Sequence, residues 1–216
     1  ISFRYSDLPA DLALIIFEYA AQPTFAQYAP YTNDTYSSAL SLCQVSKIVR
    51  RTVLPELLHT VSLSEARHLL AFVQALRMQK KYIDQQDDLA FDYAPCVHRV
   101  SIGEFRGAVR DPAVPFFPPS MAKLDWEFDI SLLAPVVLGV SSLAINIDSI
   151  DLLLKCLKNA CNSDVDLDVD HNNSTLPWST RSLTLSGYVT HSWWPFVDSN
   201  HGHAFLASIQ HLTLLF

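Results

Sequence analysis

Apolar residues two apart recur along the chain in short runs: Val61-Ser62-Leu63, Val100-Ser101-Ile102, Leu143-Ala144-Ile145, Leu183-Thr184-Leu185 and Leu212-Thr213-Leu214. Alternation of this kind sends one set of side chains to each face of a strand, so each run predicts a strand with one apolar face. Two longer alternating runs, residues 124–130 and 165–169, fall in the gaps and predict two further strands. From Ile102 onward successive runs lie 18–29 residues apart, a spacing at which short repeats stack. Helical periodicity fills intervals at 64–81, 130–138 and 150–160, and the acidic stretch 84–92 reads as a loop. The pattern predicts an α/β chain with a mostly parallel sheet, in which Leu143, Leu183 and Leu212 share one continuous core. A wound sheet in an α/β sandwich accommodates the same alternation.

The first sixty residues are patterned differently. Leu8, Leu12, Ile15, Ile16 and Tyr19 recur at helical spacing, behind a Pro9 that suits a first helical turn because its missing N–H removes a donor with no partner. Asp7 is placed to cap that helix, and Asp11 lies at the positive end of its dipole. A second stripe runs through Leu40, Leu42, Val45, Val49 and Val53, with Lys47, Arg50 and Arg51 interleaved. Between the stripes, residues 22–38 carry two prolines and three tyrosines and read as a surface loop.

The order of these pieces is more specific than either stripe. Asp7-Leu8-Pro9-Ala10-Asp11-Leu12 opens the first helix. Leu42-Cys43-Gln44-Val45-Ser46-Lys47-Ile48-Val49-Arg50-Arg51 belongs to the second, which leads into His59-Thr60-Val61-Ser62-Leu63. This resembles an F-box of the form found in basidiomycete fungal F-box proteins. The resemblance implies that residues 5–60 form a helical hook for the Skp-type adaptor of a cullin–RING ubiquitin ligase. Leu8, Pro9, Leu12, Ile15, Ile16, Val45, Val49, Leu54 and Leu57 would supply its apolar surface, some packing within the module and others meeting the adaptor. The runs over 61–216 resemble the irregular leucine-rich repeats that follow many F-boxes, with Asn146 as the family's Asn or Cys after a strand motif. That likeness implies a solenoid with its apolar set inside and its alternate set on a concave face that binds a protein substrate. Such a chain is a substrate receptor with no cofactor and no bond chemistry of its own, intracellular in the cytoplasm or nucleus. The other reading is a repeat scaffold that binds a partner without any link to ubiquitin. The pattern predicts that repeats continue past Phe216.

Charge changes this picture more than composition does. With 216 residues, half of them hydrophobic, the chain has enough apolar material for a sizeable core. Residues 1–110 hold eleven Lys/Arg and eleven Asp/Glu, and residues 111–216 hold four against eleven, so the net charge of −7 sits in the second half. That balance argues against nucleic acid, which wants a basic stripe, and against an anionic membrane surface. Within the long alternating runs, Leu124, Trp126, Phe128 and Ile130 oppose Asp125, Glu127 and Asp129, while Val165, Leu167 and Val169 oppose Asp164, Asp166, Asp168 and Asp170. If those acids share a concave face, they predict a basic segment on the substrate, with Trp193 and Trp194 of Trp193-Trp194-Pro195-Phe196 as apolar anchors. A merely solvated face, and a tryptophan pair buried under the next repeat, are the plainer alternatives.

Other chemistry is poorly supported. Asp164, Asp166 and Asp168 have calcium-loop spacing, but Val169 stands where that loop needs Gly and Thr175 where it needs Glu. His191, His201 and His203 near Asp198 have no helical metal-ligand spacing. Cys43, Cys96, Cys156 and Cys161 form no Cys-x-x-Cys pair and read as free thiols.

Overall fold

The computed structural model describes residues 8–22, 36–104, 129–163, 176–189 and 191–215. Three helices come first: α1 (Ala10–Ala21), α2 (Ser37–Leu42) and α3 (Lys47–His59). Five strands follow, β1 (Thr60–Leu63), β2 (Arg99–Ile102), β3 (Ser142–Asn146), β4 (Ser182–Ser186) and β5 (His211–Leu215). Between them run α4 (Ala66–Asp84), α5 (Ile130–Gly139), α6 (Ile150–Ser163), α7 (Trp193–Val197) and α8 (Asn200–Ser208).

All five strands are parallel, and their order in the sheet is their order in the chain. A doubly wound sheet reverses its strand order at a switch point; this one advances in a single direction. Each of the first four strands hides one face. Val61 and Leu63, Val100 and Ile102, Leu143 and Ile145, and Leu183 and Leu185 are buried, and they pack with the helices in one core. α4 meets the sheet through Leu69, Val73 and Leu76, spaced i, i+4, i+7. α5 is apolar almost all round, as suits a helix flanked by α4 and α6. α6 contributes Leu153 and Leu157, both fully buried.

Three expectations need correction. The paired residues Val61, Val100, Leu143, Leu183 and Leu212 follow one another by 39, 43, 40 and 29 positions, so most units are longer than the 18–29 spacing. In the sheet β2 pairs directly with β3, and β3 with β4. Ile130 starts α5 instead, with Asp129 at its N-cap position; residues 124–128 and 165–169 lie outside the described residues. Second, the stripe from Leu40 to Val53 is two helices rather than one. A turn at 43–46 separates them, and the Ser46 hydroxyl caps α3 by accepting from the Val49 N–H at 3.2 Å. Pro9 likewise sits at the cap of α1, one residue before the first turn, and Asp7 lies outside the described residues. Third, Leu212 is 54% exposed, unlike Leu143 and Leu183. It faces the same way as Leu183, its register partner, but β5 is the edge strand and no described element covers it.

Close backbone approaches at the strand ends fix the register. A Cβ on Gly103, just after β2, would lie 2.5 Å from the Ser64 carbonyl oxygen just after β1. Gly103 N–H in turn donates to the Leu63 carbonyl at 2.9 Å, and the Ser149 hydroxyl donates to the Gly103 carbonyl at 2.7 Å. Gly103→Ala must therefore push β1 and β2 apart, and it is expected to cost about 1–3 kcal/mol, read as a lower denaturation midpoint. Gly139→Ala, where a Cβ meets nothing within 4 Å, is the matched control.

Candidate docking surfaces

The helical module has a small core of its own. Ala21, Ala39, Val49 and Val53 are buried together, with Phe17, Leu42, Cys43 and Leu57 packed around them. Cys43 and Leu57 also touch the main core, so the two are joined without a gap. α3 ends at His59 and β1 starts at Thr60, leaving no linker residue. The Tyr36 hydroxyl, ahead of α2, donates to the Thr60 carbonyl at 2.7 Å, and burial raises its pKa above the usual phenol value.

A second clamp holds α3 to the loop after α4. Lys47 Nζ lies 3.2 Å from Asp88 Oδ2, and Arg51 donates to the Asp88 carbonyl at 2.8 Å. Beneath them the buried Gln79 amide accepts from the Phe91 N–H at 2.9 Å and reaches the Tyr93 hydroxyl. Burial raises the Tyr93 phenol too, against the pull of the nearby Arg50 guanidinium. The ion pair is exposed and contributes about 1 kcal/mol at most; the buried amide and the apolar contacts do more.

With that core complete, the module still presents apolar side chains to solvent. Leu12 and Ile16 are each 50% exposed, Ile15 and Tyr19 more so, and Leu40, Val45 and Ile48 stand out from α2, the turn and α3. The nine expected hook residues sort by burial. Leu12, Ile15, Ile16, Val45 and Pro9 are exposed, Leu8 and Leu57 are half-buried, and Val49 and Leu54 are interior. Ile48, which is not among the nine, is 68% exposed on α3 beside the buried Val49.

Of the expected substrate residues, only Asp129, Trp193 and Trp194 lie among the described residues. Asp125, Glu127, Asp166 and Asp168 lie outside the described residues. Asp129 is half-buried and accepts a hydrogen bond from the Ser131 hydroxyl. Trp193 is half-buried against the core and tilted on Phe196, while Trp194 is 61% exposed. Both belong to the short helix α7 rather than to a loop. The sheet's outward face is described directly. Its rows across β1 to β5 read Thr60, Arg99, Ser142, Ser182, His211 and then Ser62, Ser101, Ala144, Thr184, Thr213. No described strand carries a carboxylate.

Among the described residues no three His, Cys, Asp or Glu side chains come together as a metal site, and no helix is long and apolar enough to cross a membrane. None of the four cysteines is in a disulfide. Burial pushes the Cys156 thiol up to about 12, and since the thiolate is the nucleophile, alkylation of the native protein at pH 8 should leave Cys156 unmodified. Mass spectrometry after denaturation should show it modified. Prompt native labelling would mean that α6 opens readily.

No protein-family model, curated protein or solved structure matches this chain.

Proposed function

We propose that this chain is a substrate receptor of a Skp–cullin–F-box ubiquitin ligase: its helical module hooks the adaptor, and its sheet-and-helix region, a leucine-rich-repeat-like solenoid of long period, binds a protein substrate. The observation that carries the reading is the apolar set Leu12, Ile15, Ile16, Val45 and Ile48, left in solvent by a three-helix module that already has its own core. Large exposed apolar residues gathered on one small module mark a protein-binding surface. The one-way order of the parallel strands supports the solenoid, because each strand–helix unit then packs only against its neighbours.

On this reading the chain catalyses nothing, needs no cofactor and works inside the cell, in the cytoplasm or nucleus. The linker-free junction of α3 with β1 suits the role, since it holds the substrate at a fixed place relative to the adaptor. The acidic stretches around Asp125 and Asp166 would favour a substrate with a basic segment, and the exposed Trp194 would serve as an anchor. The test is coexpression with a Skp-type adaptor. A stable complex that also recovers the cullin supports the ligase; a folded chain that ignores the adaptor leaves the ubiquitin-free scaffold.

A further inference from the structure

We infer that β5, the open edge strand, pairs antiparallel with β5 of a second copy of this chain, joining two sheets in a two-fold dimer. This goes beyond the adaptor hook and does not depend on it. The two edges of the sheet are finished differently. On β1 the His59 and Leu63 carbonyls accept from the His98 and Gly103 N–H groups, toward β2. By alternation the backbone groups of Thr60 and Ser62 face away from the sheet. There the Tyr36 hydroxyl donates to the Thr60 carbonyl at 2.7 Å and also bonds the Ser62 backbone. On β5 the His211 N–H donates to the Arg181 carbonyl at 3.1 Å, and the Leu215 carbonyl accepts from the Gly187 N–H at 3.0 Å. The backbone groups of Leu212 and Leu214 therefore face the open side, where among the described residues no strand pairs with them. Their side chains are 54% and 48% exposed. Sheet edges are commonly blunted by a lysine, a proline or a bulge; residues 211–215 contain none of these.

The strand's own symmetry selects the occupant. An antiparallel pair centred on Thr213 sets Leu212 opposite Leu214 of the other copy, and Leu214 opposite its Leu212. These are the residues with free backbone groups, so each opposed pair exchanges both N–H···O bonds. Thr213 then meets its own counterpart in the position without hydrogen bonds, where side chains come closest. The leucines of both copies extend one apolar row on the inner face, continuing the packing that joins Leu183 and Leu185 to Leu212 and Leu214. Because Tyr36 and the helical module close the β1 edge, copies cannot stack head to tail, and the two-fold pair is closed. β5 offers five residues, against roughly 20–30 a side in a standard interface. The dimer is therefore weak, and at low micromolar concentration the chain is a monomer.

The test is analytical ultracentrifugation of the full chain from low micromolar to near-millimolar concentration. The mass should rise from 24.2 kDa toward twice that value. Leu214→Pro removes an N–H that faces the open side and no ladder bond to β4, a place where a strand tolerates proline. It should fold and weaken association by about tenfold or more, since both opposed pairs lose a hydrogen bond. Leu214→Lys, an inward charge on the edge, serves if the proline variant fails to fold. Met78→Lys, on the exposed face of α4, is the matched charge control and should associate like the unaltered chain. Thr213→Cys puts two thiols in a pair with Cα atoms about 4.5 Å apart, within disulfide reach. Diamide should cross-link it into a dimer but should not cross-link Thr184→Cys, which lies in the same row on the interior strand β4. A mass that stays at 24.2 kDa throughout, a folded Leu214 variant that associates fully, or equal cross-linking of both cysteine variants overturns the inference.

Discussion

Ile16→Asp is expected to abolish copurification with a Skp-type adaptor while leaving the chain folded. Half of Ile16 already meets solvent, so a carboxylate there costs the free protein little. In a complex the same position would bury an unpaired charge, at a cost of several kcal/mol, enough to lower affinity by a factor of a thousand or more. Leu12→Asp should behave alike, and Ile48→Asp tests whether the surface extends onto α3. Val53→Asp is the contrasting variant: that side chain is wholly buried in the module, so the expected result is loss of the fold. Circular dichroism separates the two classes. If Leu12, Ile16 and Ile48 variants all fold and all keep the adaptor, the exposed apolar surface is not the hook.

How much of this was legible in the sequence depends on the range of the signal. The alternation in Val61-Ser62-Leu63 and its four counterparts is local, and each became a strand with the expected face inward, apart from the uncovered edge strand. The helices at 64–81, 130–138 and 150–160 were likewise visible in their own periodicity and came out within a few residues. Pairing is not local. Residues 124–130 alternate as well as any strand here, yet Ile130 opens a helix; alternation states what a strand would bury and not which strands pair. The break between α2 and α3 has a local sign: Ser46 ahead of Lys47-Ile48-Val49 is an N-cap residue before a helix.

The strand leucines should divide in the same way between local pattern and tertiary place. Leu143 and Leu183 occupy one register row and are completely buried in a single core. Truncating either to Ala removes the packing of a full core side chain and leaves a cavity, at an expected cost of about 2–5 kcal/mol. Leu212 continues that row on β5 with the same sequence context, Leu-Thr-Leu, but stays more than half exposed. Leu212→Ala should therefore cost about 1 kcal/mol or less, since little apolar area returns to water. Urea denaturation of the three variants measures the difference directly, through midpoints at unchanged slope. A Leu212 variant as unstable as the other two would mean that the edge of the sheet is covered in solution, by another strand or another molecule. Equal and small effects at Leu143 and Leu183 would mean that the rows do not form one core.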